Sequence, residues 1–230
     1  MCGRYVLAQV NLEERFQASL VKEGPVGPGE RLDRVIEENY NASPSQVMPT
    51  ITRNSPNKIT FMKWGLIPFW AKDPRIGFKM INARAEGIGS KPAFREPFKK
   101  RRCLVPASGF YEWKRINSKE KVPYYIFLKS RELLAFAGLY DIWKDAEGKE
   151  IKSFTIITVE PNKAMSEIHN RMPAILKMED EQGWLDQEAP ITLLQKMLKP
   201  IPDELMDYYV VSISVNSPRN NNSELLKRVS

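Results

Sequence analysis

The chain has 230 residues, 42% hydrophobic and 27% charged, enough apolar material for one sizeable core, so a single domain over 1–230 is expected. Lysine and arginine outnumber aspartate and glutamate 35 to 28, and the resulting net charge of +7 points to a polyanionic partner. The sequence lacks a membrane-length apolar run, a signal-peptide segment, a CxxC pair and any phosphate-loop, HExxH or GxSxG pattern.

In chain order, Leu12, Phe16 and Leu20 fall at i, i+4, i+8 and predict an amphipathic helix over 11–22. A Gly/Pro loop follows at 24–31. Residues 58–64 alternate as a strand that runs into GLIPFW. The stretches 122–128, 133–140 and 153–159 are rich in aromatic and β-branched types and read as further strands. DAEGKE at 145–150 reads as the turn of a hairpin joining 136–143 to 151–159. Residues 179–186 and 190–198 read as helices, and 209–215 as a late strand. Strands in runs with peripheral helices imply an α+β fold, built on a curved mixed or antiparallel sheet forming an open barrel-like core.

Two thiols and one histidine cannot supply a four-ligand metal site without carboxylates, and no metal or cofactor is expected. The lack of a signal segment implies an intracellular setting, cytoplasmic or nucleoid-associated, where Cys2 and Cys103 stay unpaired. A monomer is the default. Cys103 reads as a small buried strand residue.

Cys2 follows Met1, and removal of Met1 would leave an α-amine and a thiol on one carbon. Both are nucleophilic near neutral pH. Such a 1,2-aminothiol condenses with an aldehyde and closes a five-membered thiazolidine. His169, the sole histidine, lies in the loop-like SEIHNRMP and can shuttle a proton. Glu112 stands between Tyr111 and Trp113. Strand alternation would turn it to water, whereas desolvation between the rings would suit it to acid–base work. In MINARAEG, Asn82 can orient a terminus or carbonyl and Arg84 can grip a phosphate. Trp64, Phe69 and Trp70, with Arg4, Lys72, Arg75, Arg84 and the basic run at 99–102, fit a single-strand surface. There, bases stack on rings while cations track the backbone. At least one of these tryptophans is expected in the core.

Eight segments resemble the SOS-response-associated peptidase (SRAP) family, in family order over nearly the whole chain. They are MCGRY at the start, YNASPSQ at 40–46, WGLIPFWAKD at 64–73, INARAEG at 81–87, RRCLVPASGFYEWK at 101–114, FAGLYDIW at 136–143, TVEPNKAMSEIHNRMP at 158–173, and WL at 184–185. The resemblance implies an abasic-site processing protein with a barrel-like β structure and a basic DNA groove. It implies that Cys2, as N-terminal residue, attacks the ring-opened aldehyde of an abasic site in single-stranded DNA. Asn82 would position Cys2, Glu112 would serve as acid–base group, and His169 would handle sugar ring opening and crosslink reversal. Arg4, Arg84 and Arg171 match phosphate-binding positions. Trp70 matches an aromatic that splits the DNA stack, and Phe69 stands where some relatives carry another tryptophan.

Two other readings use parts of the same set. One is a cysteine peptidase that removes Met1 or cuts other chains. The other is a non-covalent reader of modified or single-stranded DNA, which leaves Cys2, Glu112 and His169 idle.

Overall fold

The computed structural model describes residues 2–8, 11–21 and 35–229. The chain starts with β1 (Arg4–Leu7), helix α1 (Leu12–Phe16), β2 (Ser19–Leu20), β3 (Asn39–Ala42), β4 (Val47–Thr52) and β5 (Ser55–Trp64). A 3-10 turn over Pro74–Lys79 leads to β6 (Asn82–Arg84), helix α2 (Pro92–Lys100), β7 (Arg102–Ala107), β8 (Gly109–Arg115) and β9 (Lys121–Leu128). Next come β10 (Leu134–Lys144), β11 (Glu150–Val159), α3 (Lys163–Ser166), β12 (Met172–Pro173) and β13 (Ile175–Leu176). The last elements are α4 (Met178–Leu185), α5 (Ile191–Met197) and β14 (Met206–Val210).

The class is α+β, as the strand runs imply. β4 pairs with β5 and β7, β7 with β10, and β10 with β11. β11 then returns to β5 in parallel, through Ser153 opposite Lys63 and Phe154 opposite Trp64, so five strands close into a barrel. Closure removes the free edges that an open sheet would expose. A second, wholly antiparallel sheet has the order β14-β9-β8-β1-β3. One large apolar cluster holds the two together. Trp64 stacks on Phe154 (6.3 Å, 9°) and lies 5.1 Å from the Tyr5 ring of the second sheet, and Phe136 takes Tyr5 and Phe110 edge-on. Trp64 is therefore the core tryptophan of its motif, and Cys103 is fully buried on β7. The expected hairpin is present, with Lys144 opposite Glu150.

Several local expectations shift. The helix expected over 11–22 ends at Phe16, because Gln17 takes a left-handed conformation (φ 49°) that caps the turn. Ser19–Leu20 then joins β5 in parallel. The Gly/Pro stretch 24–31 lies outside the described residues. The late strand spans Met206–Val210, and Ile213–Asn216 is a 3-10 turn capped by Ser212, whose side chain accepts from Ser214 N. Helix α2 has no counterpart in the sequence reading. Pro92 sits at its first turn, where a missing N–H costs nothing, and Pro97 lies inside it. Among the described residues no helix is long and apolar enough to cross a membrane.

Candidate active site and nucleic-acid interface

β1 lies between β3 and β8, with Arg4 opposite Tyr111 and Tyr5 opposite Phe110. That register carries Cys2, two residues ahead of Arg4, towards the segment after Tyr111. The Cys2 side chain is fully buried, and its thiol makes a weak contact with Arg4 O at 3.8 Å. Burial pushes the Cys2 thiol well above its ordinary pKa, and the nearby Glu112 carboxylate adds to the shift. The thiol is therefore protonated at neutral pH.

Asn82 opens β6, which is held in parallel on β11 with Asn82 opposite Ile156. Its Nδ2 donates to the Cys2 carbonyl oxygen at 2.9 Å, and its Oδ1 is buried without a hydrogen-bond donor. Glu112 is 4% exposed, beside a fully buried Tyr111. The water-facing alternative for Glu112 therefore fails: the carboxylate is buried although the rings of Tyr111 and Trp113 pack against another apolar cluster. One carboxylate oxygen accepts from Trp113 N at 3.4 Å. The fold thus brings Cys2, Asn82 and Glu112 together from three distant segments.

His169 lies half-buried after α3. Its Nδ1 accepts from Arg171 N at 3.1 Å, so the neutral ring carries its proton on Nε2. Arg171 is 8% exposed, and its guanidinium grips Glu86 at 2.6 and 3.0 Å while donating to Thr158 O at 2.6 Å. The hydrogen bond from Arg171 holds the Glu86 carboxyl below its ordinary range. Arg171 thus links the His169 loop to the segment that follows Asn82. Strand alternation sets Asn82 and Arg84 on one side of β6, opposite the buried Ala83, and Arg84 is exposed. Arg4 donates to Asn41 Oδ1 (2.9 Å), Val215 O (2.8 Å) and Asn216 O (3.2 Å), and burial lowers its pKa. Of the three arginines read as phosphate contacts, Arg84 is exposed, while Arg4 and Arg171 already hold groups of this chain.

The aromatic loop after Trp64 is firmly anchored. Gly65 adopts φ +121°, and a Cβ there would stand 2.6 Å from Gly77 O, so the loop and the 3-10 turn meet backbone to backbone. Phe69 N donates to Asp141 Oδ2 (3.0 Å), Ile67 N to Ser153 Oγ (2.8 Å), and Trp143 Nε1 to Ala71 O (2.6 Å). Asp141, which sequence reading did not single out, also binds Arg101 at 3.2 Å. Phe69 and Trp70 themselves project into solvent, 59% and 47% exposed. The basic run 99–102 divides: Lys99 and Lys100 are exposed, Arg101 pairs with Asp141, and Arg102 is buried. Arg75 is exposed but paired with Asp73 at 2.6 Å.

The chain is 44% identical over 232 residues to the abasic site processing protein YoqW of Bacillus subtilis, covering 99% of both. It is 46% identical to YoaM of the same organism, covering 98% of this chain and 97% of that one. It is 35% identical to the abasic site processing protein HMCES of Xenopus tropicalis, covering 84% of this chain and 67% of that one. A crystal structure of a protein from Bacteroides thetaiotaomicron superposes with a TM-score of 0.87 at 31% identity, covering all of both chains. Residues 1–218 match the SOS response associated peptidase (SRAP) family, and the chain belongs to it.

Proposed function

We propose that this protein captures abasic sites in single-stranded DNA through Cys2 after loss of Met1, as a monomer in the cytoplasm at the nucleoid. The observation that carries the proposal is the 2.9 Å bond from Asn82 to the Cys2 carbonyl, which fixes that residue beside Glu112. The freed α-amine attacks the aldehyde of the ring-opened sugar, and the carbinolamine loses water to give an imine. The thiol sulfur then adds to the imine carbon while Glu112 relays the thiol proton to the imine nitrogen, which becomes the ring amine. A buried thiol that stays protonated favours this order, with amine first and sulfur second. Closure removes the imine that would permit β-elimination and strand breakage. Asn82 orients Cys2, His169 Nε2–H serves ring opening and reversal, and Arg84 with Trp70 and Phe69 receives the strand. Arg4 and Arg171 would reach phosphate only by sharing guanidiniums that already hold Val215 O and Glu86.

A low-pKa thiolate is what a cysteine peptidase needs, and Cys2 is shifted the other way. That shift weighs against a general cysteine peptidase, and a peptidase role, if there is one, is read as removal of Met1 alone. The names of YoqW and HMCES support the abasic-site reading. The experiment is to mix the Met1-processed protein with a single-stranded oligonucleotide bearing one abasic site, then run a denaturing gel and an intact mass spectrum. An adduct at the summed mass less one water, stable without reductant, is expected. A Cys2→Ala protein that gave the same stable adduct would overturn the thiazolidine.

A further inference from the structure

All the chain's Phe, Tyr and Trp residues are described, and only three of them are exposed: Phe69, Trp70 and Phe78. Phe78 is the most exposed, at 62%, and neither its sequence motif nor the family match draws attention to it. All three stand on one small platform. Ile67, Ala71 and Trp143 form a separate apolar cluster, with Ile76 and Ile151 packed against it. The loop 65–73 and the turn Pro74–Lys79 are thus fastened to the same support, and Gly65 and Gly77 meet backbone to backbone. Leu66 N donates to Met80 O at 3.1 Å, and Met80 N to Gly77 O at 3.0 Å, which pins Phe78 from both sides. Lys63 of β5 holds its ammonium 5.9 Å from the Phe78 ring centroid, and Lys72 and Lys79 are exposed nearby in sequence. A rigid ring in solvent beside lysines is the combination that stacks a nucleobase while cations follow the phosphates. A peptide partner would want an apolar groove or a sheet edge, and closure of the barrel leaves little edge here.

We infer that Phe78 and Lys63 form a second base-stacking subsite, for an unpaired nucleobase of the captured strand away from the Trp70 position. The inference rests on the single-strand reading above. The subsite gives the protein grip on undamaged single strand flanking the lesion, independent of the covalent step.

The experiment uses single-stranded oligonucleotides carrying one abasic site and a 2-aminopurine walked along the strand, with wild type, Phe78→Ala, Phe78→Tyr and Trp70→Ala proteins. Stacking quenches 2-aminopurine. One probe position should be quenched in wild type, Phe78→Tyr and Trp70→Ala, and relieved in Phe78→Ala. Affinity for an undamaged single strand should fall about tenfold in Phe78→Ala and be restored in Phe78→Tyr. Circular dichroism and melting should match wild type, since the ring is mostly in solvent. If the wild type captures the abasic strand but no probe position and no affinity depends on Phe78, the subsite is refuted and the function stands. If the wild type neither binds nor captures the strand, the function itself has failed.

Discussion

Two ends of the barrel treat buried polar groups in opposite ways. At one end Arg102 is fully buried, its guanidinium 5.8 Å from the Trp184 ring and under the influence of the Asp186 carboxylate. Its guanidinium donates to Phe98 O and Lys99 O at the end of α2, and to Trp184 O and Asp186 O at the end of α4. Those carbonyls carry the partial negative charge of helix C-termini, so one cation satisfies two helix ends. Burial lowers the pKa of Arg102 to about 10, which leaves it charged at neutral pH. At the other end, Asn82 Oδ1 and Tyr5 OH are buried without hydrogen-bond partners, and the Cys2 thiol is pushed far from ionising. Arg102 itself is satisfied and serves stability. The other end holds unmet polar groups around the proposed nucleophile, as expected of a site that completes its bonding only with substrate.

That contrast can be broken in order of effect. Cys2→Ala should abolish the reductant-stable adduct while leaving the melting temperature almost unchanged, read on a denaturing gel and by calorimetry. The opposite pattern is expected of Arg102→Ala. It should cost about 3 kcal/mol or more in urea unfolding, because four carbonyls, two of them in buried hydrogen bonds, lose their donor, with capture chemistry intact in the folded fraction. Asn82→Ala should slow capture by about 10- to 100-fold at saturating DNA, since Cys2 loses its fixed orientation. Its stability should move by less than about 1 kcal/mol; a large loss would mean that Asn82 is merely structural.

Glu86→Gln sharpens the comparison at low pH. The Glu86 carboxyl has a lowered pKa in the fold, so its stabilisation is complete above the ordinary carboxylate range. It is lost as pH falls through the lowered folded value. The variant should therefore show a flatter melting temperature against pH in that acid window, and an unchanged slope would disconnect Arg171 from Glu86. Half of the Glu86 side chain is exposed, so the effect should stay under about 1 kcal/mol. The smallest expected signal is in thiol alkylation. Cys2 and Cys103 are both raised by burial, so both should react slowly at neutral pH in the native protein and promptly in denaturant.

The sequence made residue types visible but not their partners. Strands with clear alternation or β-branched runs, such as β5, β9 and β11, were legible, as were α4 and α5. β7 is buried along its whole length, so no alternation marks it, and two prolines disguised α2. Of the candidate site, Cys2, Asn82 and Glu112 could be chosen by chemistry. Their convergence depends on β1 entering between β3 and β8 and on β6 lying along β11, which no local pattern announces. Arg4 and Arg171 show the limit most plainly. An arginine in a motif reads as a phosphate grip, and the carbonyls and carboxylate that occupy it come from residues far away in sequence. Phe78 escaped notice because a lone aromatic in a short turn has no periodicity.

The strand order also sets a timetable. β1 is made first, yet its neighbours in the sheet are β3 and, about a hundred residues later, β8. During synthesis the first segment must wait, unpaired on one side, until the strand carrying Glu112 has emerged. Pairings of such long separation form late in folding. Cys2 and Glu112, the proposed nucleophile and acid–base group, therefore meet only when the second sheet closes. A nascent or half-folded chain carries Cys2 without Glu112 beside it, so the proposed capture of an abasic strand would belong to the finished protein.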